Sequence, residues 1–319
     1  MLDALAARHG VVAVVTQPDR PAGRGKRAVA TPVRQAAEAR GLPVLTPERL
    51  RDVVAQLRAL APDAFAVASY GKIVPQMLLD VPRLGALNVH PSLLPLYRGA
   101  TPLQSAIRDG RRETGVTIIR MDAGMDTGPV LLRERTPLGP DETYGEVHDR
   151  LAARGAALLL DALERYAAGV QTPRAQSEIA AEDGITEDDI AATLTRPLRK
   201  DDLAIDLTWS ARRIVDFVRS LAPQPLARLA VAGETVKVLA ARAVGPEEYV
   251  RVKGAPAAIG SPGVNYGPGP RATLAVLCPD GEIVLFERVI PPGRKAMSGA
   301  EYARIAYERA RTLLQRFGP

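Results

Sequence analysis

Short apolar runs alternate with helical segments through the first half of this chain, and this alternation restricts the folds that it can adopt. An apolar run at 11–15 is followed by a helical pattern at 32–40 that begins at a proline. A short run at 43–45, a helix at 50–60 and a third run at 64–69 repeat this order. Continuous apolar strands belong to sheets that helices cover on both faces. The pattern therefore predicts an α/β fold with a doubly wound, mostly parallel sheet.

A loss of periodicity from 172 to 189 divides the chain. It follows a long helix predicted over 144–168, and it contains Pro173 and a cluster of acidic residues, so we expect a linker. Beyond a helix at 210–221, short alternating segments lie between turns rich in glycine and proline. These segments are 227–231, 235–244, 247–253, 272–278 and 282–289. They predict a small barrel or sandwich, and a last helix is predicted over 299–317.

The composition excludes several classes of protein. With one cysteine, Cys278, the chain cannot form an internal disulfide, and its three scattered histidines give no zinc-ligand spacing. No apolar run approaches the roughly 20 residues that span a bilayer, and the first ten residues do not resemble a secretory signal. We expect a cytoplasmic monomer that binds no metal and no membrane. Its length of 319 residues allows two domains, expected at 1–171 and 191–319 with the linker at 172–190.

The net charge of +6 is unevenly distributed. Residues 1–100 carry 13 Lys and Arg against 7 Asp and Glu, a net charge of +6. Residues 191–319 carry 19 against 12, or +7, which leaves −7 for residues 101–190. Two basic ends around an acidic centre fit a polyanionic partner that is held in two places. Solvated basic faces on an arginine-rich protein fit the same distribution.

The most informative motif is Asn-Val-His at 88–90, followed by Asp126 in a Gly-Met-Asp-Thr-Gly segment. Side chains two residues apart on a strand share one face. An amide donates to an oxyanion, an imidazole donates or transfers a proton, and a carboxylate orients the imidazole. The set therefore suits attack on a carbonyl, with Asn88 and His90 at the oxyanion and Asp126 setting the tautomer of His90. Taken alone, an Asn-x-His pair is more often structural.

Several motifs, in order along the chain, carry a resemblance to a known family. NVHPSLLPLYRGATPLQ at 88–104, ETGVTI at 113–118 and GMDTG at 124–128 resemble the core of the formyltransferases that use 10-formyltetrahydrofolate. TQPDRPAGRGKR at 16–27 and KAMSGAEY at 295–302 are similar to segments of the members that formylate methionyl-tRNA. The resemblance covers nearly the whole chain.

The resemblance implies a Rossmann-like formyltransferase domain followed by an OB-like β-barrel that binds tRNA. It implies 10-formyltetrahydrofolate as co-substrate and initiator methionyl-tRNA as partner, with direct formyl transfer at a site formed by Asn88, His90 and Asp126. The Ser-Leu-Leu-Pro loop is implied to line the folate site, and the segment that begins at Tyr70 is a candidate wall of the pterin pocket. Asp122 is either a further folate contact or a turn residue. The other candidate folate-binding residues are Ser92, Leu93, Leu94, Pro95, Gly71, Ile73 and Val74.

A glycine-spaced basic loop at 20–27 fits entry into a nucleic-acid groove. The resemblance implies that this loop reaches the tRNA acceptor stem, with Arg24 at the matching position, whereas a solvated loop is the alternative. The candidate tRNA contacts are Arg20, Arg24, Lys26 and Arg27 in the loop and Arg196, Arg199, Lys200, Arg294 and Lys295 further along the chain.

One departure from the family pattern concerns the start of the sequence. Family members begin with a strand and a Gly-Thr-Pro turn, whereas this sequence begins in a helix at Met1. Without that central strand, two neighbouring strands would keep unpaired edges, and each buried unpaired backbone group costs about 1–3 kcal/mol. We hypothesise that Met1 is an internal methionine of a longer reading frame. An upstream extension that leaves the melting temperature unchanged would reject this hypothesis.

Other functions remain compatible with these motifs. The same catalytic core could formylate a purine precursor or a nucleotide-linked amino sugar, or hydrolyse formyl-folate. The basic loop and the basic second domain favour tRNA, because the purine enzyme is normally a single domain without them. An RNA-binding protein that has lost catalysis is the alternative from another class. The presence of Asn88, His90 and Asp126 argues against it.

Overall fold

The computed structural model describes residues 1–22, 27–253, 264–266 and 273–317. The chain forms two compact units. The first consists of Met1–Pro102, Glu113–Pro137 and His148–Arg196. The second consists of Leu103–Arg112, Leu138–Val147 and Pro197–Pro319.

Eleven α-helices and fourteen strands lie in the described ranges. The helices are α1 Leu2–Arg8, α2 Pro32–Glu38, α3 Val54–Ala59, α4 Gln76–Leu79, α5 Pro102–Arg108, α6 Tyr144–Ala167, α7 Gln176–Asp183, α8 Glu187–Ala192, α9 Ala211–Ser220, α10 Pro246–Lys253 and α11 Gly299–Phe317. The strands are β1 Val14–Val15, β2 Arg20–Ala22, β3 Arg27–Val29, β4 Val44–Leu45, β5 Phe65–Val67, β6 Ala86–His90, β7 Glu113–Arg120, β8 Val130–Pro137, β9 Ala227–Val231, β10 Glu234–Val244, β11 Val264–Tyr266, β12 Leu274–Leu277, β13 Ile283–Ile290 and β14 Met297–Ser298.

The first unit has the predicted α/β architecture, with its sheet in two pieces. β5 and β6 are parallel, and β7 and β8 extend this sheet in antiparallel pairs to give the order β5-β6-β7-β8. β1 and β4 form a separate parallel pair. Among the described strands, β1 pairs only with β4 and β5 pairs only with β6, so each keeps one edge unpaired.

Helix α6 packs against β6, an inner strand of the larger sheet. Val89 points to the opposite face from its neighbours Asn88 and His90, because strand side chains alternate. It lies against Gly155 of α6, where an added Cβ would come within 2.7 Å of Val89 Cγ1 and 3.4 Å of Val116 Cγ1. The glycine therefore lets the helix approach the sheet closely, and the face of β6 opposite to α6 is left for polar side chains.

The second unit contains a curled antiparallel sheet of six strands. Its order is β11-β12-β13-β10-β9, with β14 added beside β13, and β10 is bulged between Val238 and Ala241. The path is open among the described strands, so the expected OB-like barrel takes the form of a half-barrel. Helix α9 buries Ile214, Phe217 and Val218 in a core with residues of β9, β10 and β13.

Two expected elements are wrong in type. The segment 247–253, predicted as a strand, is helix α10, which starts at Pro246 and carries Glu247 and Glu248 in its first turn. Both features favour a helix N-terminus and outweigh the local alternation. The segment 172–190, predicted as an irregular linker, contains α7 and most of α8. Reciprocal hydrogen bonds between Thr186 and Asp189 cap α8, a signal that the interpretation of this segment as a linker overlooked.

Candidate active site

Strand β6 carries Asn88 and His90 on one face, as their spacing predicts. Asn88 pairs with Val67 of β5 on one side and with Ile119 of β7 on the other. His90 is the last residue of the strand and pairs with Thr117. Partner strands on both sides fix the backbone, so the two side chains leave the sheet in defined directions near the carboxyl end of β6. This is the end at which open α/β sheets bind ligands.

The ring of His90 is buried and bonded to a neighbouring loop. Its side chain is 4% exposed, and Nε2 lies 2.9 Å from the carbonyl oxygen of Tyr97. A carbonyl only accepts, so Nε2 must carry the hydrogen and donate it. Tyr97 has φ of +59°, a left-handed conformation that costs about 1–2 kcal/mol for a bulky L-residue. The surrounding packing holds this conformation, with Tyr97 itself buried.

Asp126 brings its carboxylate to both side chains of β6. Its Oδ2 lies 3.6 Å from His90 Nδ1, and its Oδ1 accepts a long hydrogen bond of 3.5 Å from Asn88 Nδ2. The backbone N–H of Gly99 donates to Oδ2 at 2.9 Å. The amide, the imidazole and the carboxylate therefore converge, as the motif predicts. Asp126 has φ of +55°, a region that aspartate occupies more readily than most residues.

The electrostatics of the site favour a neutral His90. Burial lowers the pKa of the imidazole below its usual 6.5, and the Asp126 carboxylate offsets part of that effect. The neutral ring then has its proton on Nε2 and a lone pair on Nδ1. The prediction that Asp126 sets the tautomer of His90 is thus wrong in this conformation, because the Tyr97 carbonyl does so. Donation from His90 to an oxyanion would require a second proton on Nδ1.

The Ser-Leu-Leu-Pro loop follows β6 directly, and most of its side chains point into the protein. Ser92 is fully buried and donates to Leu96 O at 2.8 Å. Leu94 is also fully buried, and Pro95 is buried beside it. Only Leu93 is partly exposed. In this conformation, a folate would therefore contact the backbone of Ser92, Leu94 and Pro95 and not their side chains.

The candidate pterin wall leaves the sheet at the same end as His90. β5 is parallel to β6, so the segment 70–74 that follows β5 emerges near the carboxyl end of both strands. Ile73 is 88% exposed and Gly71 is exposed, whereas Tyr70 and Val74 are half-buried. Exposed apolar surface at this position fits the ring system of a folate.

Asp122 shapes the loop that carries the carboxylate. Its Oδ1 accepts from the backbone N–H of Gly124 at 3.0 Å and from Thr127 Oγ1 at 2.8 Å. This is the turn role that the sequence left open. A contact between Asp122 and folate stays a prediction.

The basic loop lies on a two-stranded hairpin, β2–β3, in which Arg20 pairs with Val29 and Ala22 with Arg27. Arg24 and Lys26 lie outside the described residues. The five candidate cations further along the chain have exposed side chains. They are Arg196, Arg199, Lys200, Arg294 and Lys295.

Sequence reasoning missed residues from the segment after α6 that hold the site loops. Gln176 is buried and bonded to the loop of Asp126, and Thr195 forms a bridge with Gly99. Gly99 has φ of +108°, and an added Cβ would lie 2.1 Å from Thr195 O, so only glycine fits. The Thr186 cap could have predicted α8, but no local pattern in the sequence predicts the contacts of Gln176.

The described part of the chain lacks two further features. No helix in it is long and apolar enough to cross a membrane. No group of three or more His, Cys, Asp and Glu side chains in it is placed to hold a metal ion.

Comparison with known proteins identifies the family. Residues 1–163 match the family model described as formyl transferase, and residues 197–306 match formyl transferase, C-terminal domain. The chain therefore belongs to the formyl transferase family. A methionyl-tRNA formyltransferase from Halorhodospira halophila is 45% identical over 94% of this chain and 90% of its own length. A methionyl-tRNA formyltransferase from Anaeromyxobacter dehalogenans is 47% identical over 95% and 91%.

Solved structures share the fold at low sequence identity. The N-formyltransferase from Helicobacter canadensis, in complex with folinic acid and dTDP-3-aminofucose, has a TM-score of 0.58 at 15% identity and covers 89% of this chain and 93% of its own. HypX from Aquifex aeolicus, in complex with tetrahydrofolic acid, has a TM-score of 0.57 at 18% identity and covers 84% and 43%. These likenesses concern the fold alone.

Proposed function

We propose that this protein transfers the formyl group of 10-formyltetrahydrofolate to the α-amino group of initiator methionyl-tRNA, in the cytoplasm and as a monomer. The observation that carries the proposal is the convergence of Asn88, His90 and Asp126 at the end of β6. Relatives named methionyl-tRNA formyltransferase, at 45% and 47% identity over most of the chain, support this acceptor. We assign the chemistry to residues 1–171 and tRNA binding to residues 191–319.

The first step is direct attack of the amine nitrogen on the formyl carbon. The α-amine of an aminoacyl ester has a pKa close to neutral, so much of it is uncharged and nucleophilic. The new C–N bond forms as the carbonyl π electrons move to oxygen. Asn88 is half-buried near the strand end, and its Nδ2 donates to this oxyanion. A donor of this kind contributes about 3–4 kcal/mol in other acyl-transfer enzymes.

The second step moves one proton and breaks the C–N10 bond of the folate. The amine must lose a proton and N10 must gain one as it leaves with the bonding electrons. Asp126 and Nδ1 of His90 face each other at 3.6 Å, and Asp126 is 18% exposed, so a proton can enter this pair from the substrate side. The pair then returns the proton to N10. Tyr97 keeps the ring oriented through Nε2.

The folate co-substrate is placed at the carboxyl ends of β5 and β6. The exposed side chain of Ile73 and the partly exposed Leu93 provide apolar surface for its rings. The backbone of the Ser-Leu-Leu-Pro loop provides polar groups, since the side chains of Ser92 and Leu94 are buried.

The tRNA is held by the β2–β3 hairpin and by the exposed cations further along the chain. Replacing Arg24 by Ala should raise the KM for tRNA and flatten its dependence on salt, because one phosphate contact is lost. An unchanged KM would show that the hairpin does not contribute to tRNA binding.

An acceptor assay tests the proposed function. The protein is incubated with 10-formyltetrahydrofolate and either methionyl-tRNA or glycinamide ribonucleotide. Formylated product from the charged tRNA alone supports the proposal. Formylation of the ribonucleotide alone would assign the chain to purine chemistry, and binding of tRNA without product would make it an RNA-binding protein.

Two histidine variants connect this activity to the site. His90→Ala should lower kcat by about 10²–10⁴. His148→Ala is the matched control, because its side chain is 53% exposed and pairs with Asp149 on α6. Equal activity of the two variants would reject the assignment of His90.

A further inference from the structure

The side chain of Gln176, at the start of α7, uses its full hydrogen-bonding capacity inside the first unit. Its Nε2 donates to Asp126 O at 2.7 Å and to Gly128 O at 2.8 Å. Its Oε1 accepts from Nε and Nη2 of Arg98 at 3.0 and 2.7 Å. An amide has two N–H donors and two acceptor lone pairs, so every position is occupied. Gln176 is 5% exposed, which excludes water from these bonds.

The two segments that Gln176 joins are those that hold the Asp126 carboxylate. One segment contains Asp126 itself, in a left-handed conformation that must be held by its surroundings. The other contains Arg98 and Gly99, and the N–H of Gly99 donates to Asp126 Oδ2 at 2.9 Å. Gln176 therefore bonds directly to the backbone that carries the carboxylate, and through the guanidinium of Arg98 it is connected to the segment whose Gly99 N–H binds that carboxylate.

Helix α7 is itself fixed, so it can serve as an anchor. Ile179 packs in a buried cluster with Leu94 and Val130. At the end of the helix, Asp183 accepts from Arg133 Nη1 at 2.6 Å, and the same nitrogen donates to Leu94 O at 3.2 Å. Movement of α7 would disturb both the folate loop and the carboxylate loop.

We propose that Gln176 is a positioning residue, which holds the Asp126 carboxylate at its distance from His90 Nδ1 without touching a reacting atom. The proposal rests on the proposed function, because that function assigns proton transfer to the pair of Asp126 and His90. Loss of the Gln176 amide leaves two buried carbonyls without donors and releases the loop at Asp126. The proton-transfer step should then slow. The binding of methionyl-tRNA and of the folate should persist, because these substrates are assigned to the loops of other strands.

The first test replaces the amide by an apolar side chain of similar length. For Gln176→Met we expect kcat for methionyl-tRNA to fall about 10- to 100-fold, since a misplacement of about 1 Å can cost that much. The KM values for methionyl-tRNA and for the folate should stay within about threefold. Steady-state kinetics of the full chain give both quantities, and circular dichroism checks the fold.

The second test uses Gln176→Glu, which keeps the shape and retains an acceptor for Arg98. An ionised carboxylate cannot donate to Asp126 O or Gly128 O, whereas a protonated one donates to one of them. Arg98 favours the ionised form of the introduced carboxyl, whereas burial and the two facing carbonyl oxygens of Asp126 and Gly128 favour the protonated form. We expect kcat relative to the unaltered protein to rise as the pH falls from 8 to 6. If Gln176 had a merely structural role, kcat of this variant relative to the unaltered protein would not rise as the pH falls.

The matched control is Ile190→Ala in α8, a residue 6% exposed in the same stretch of chain. It should lower the unfolding midpoint and leave kcat and its pH profile unchanged. The proposal is overturned if the unaltered protein is active and both Gln176 variants keep its kcat and pH profile, or if Ile190→Ala loses kcat as they do. An unaltered protein that does not formylate methionyl-tRNA would instead reject the proposed function. Should Gln176→Met fail to fold, the Gln176→Glu pH profile decides alone.

Discussion

The two pieces of sheet in the first unit differ in how completely their polar groups are paired. In the larger sheet, β6 and β7 have partners on both edges. The smaller piece, β1–β4, has two residues in each strand. Beside it, Gln17 donates to Tyr70 O at 3.0 Å, yet Gln17 Oε1 and Tyr70 Oη are buried with no hydrogen-bond partner among the described residues. Each such atom costs about 1–3 kcal/mol.

This contrast indicates which part of the fold can support chemistry. A reacting group must stay within about 0.5 Å of its productive position, which requires neighbours that are themselves fixed. Asn88 and His90 lie on a strand with two partners. The His90 ring is bonded to Tyr97, and Asp126 is bonded to Gly99 and Gln176. The smaller piece lacks such support among the described residues. It carries instead the β2–β3 hairpin, whose proposed task is electrostatic and tolerates less exact geometry.

The largest expected contrast concerns core packing in the two pieces of sheet. Ile118 of β7 is fully buried, so Ile118→Ala should lower the free energy of unfolding by about 2–5 kcal/mol. Val14 of β1 is 8% exposed, and Val14→Ala should cost less than half as much, because a short strand with one partner can relax around the lost methyl groups. Urea unfolding of both variants measures the difference. Equal costs would show that the two pieces are equally rigid.

A contrast of intermediate size depends on pH. The folded-state pKa of His90 is lowered by burial, so below about pH 6.5 the unfolded chain takes up a proton here that the native site does not. Stability should therefore fall as the pH decreases through 6.5, by at most about 1.4 kcal/mol per pH unit for this one group. The variant His90→Asn should lose that part of the slope. Unfolding curves between pH 7.5 and 5.5 measure it, and parallel slopes would contradict the burial of a neutral ring.

The smallest expected change in stability concerns Tyr70, which lies beside the smaller piece of sheet. Tyr70→Phe removes a buried hydroxyl for which the described part of the chain offers no partner, so stability should stay the same or rise by up to about 1 kcal/mol. The matched control Tyr302→Phe removes a hydroxyl that donates to Glu234 at 3.3 Å, and it should lower stability. Thermal unfolding of both variants measures the two changes in stability. A loss of stability in Tyr70→Phe would show that this hydroxyl has a partner in solution.

Much of this arrangement was predictable because it follows from local periodicity. The apolar runs and the 3.6-residue repeat predicted β5, α6 and α9 with errors of one or two residues at their ends. Strand β8 was not predicted, because Arg133, Glu134 and Arg135 interrupt its apolar pattern. These charged residues are explained by ion pairs with Asp183, Glu113 and Arg154. Such pairs join distant parts of the chain and leave no local signal.

The sequence alone predicted Asn88, His90 and Asp126 as site residues, and it indicated that Asn88 and His90 share a face, because the two-residue period of a strand is a property of the backbone. The nitrogen of His90 that carries the proton and the residue that holds Asp126 follow from the three-dimensional contacts. Those outcomes depend on Tyr97 and on Gln176, which lies 50 residues beyond Asp126. A hydrogen bond over that separation exists only once the intervening chain has folded, since it is set by packing and not by propensity.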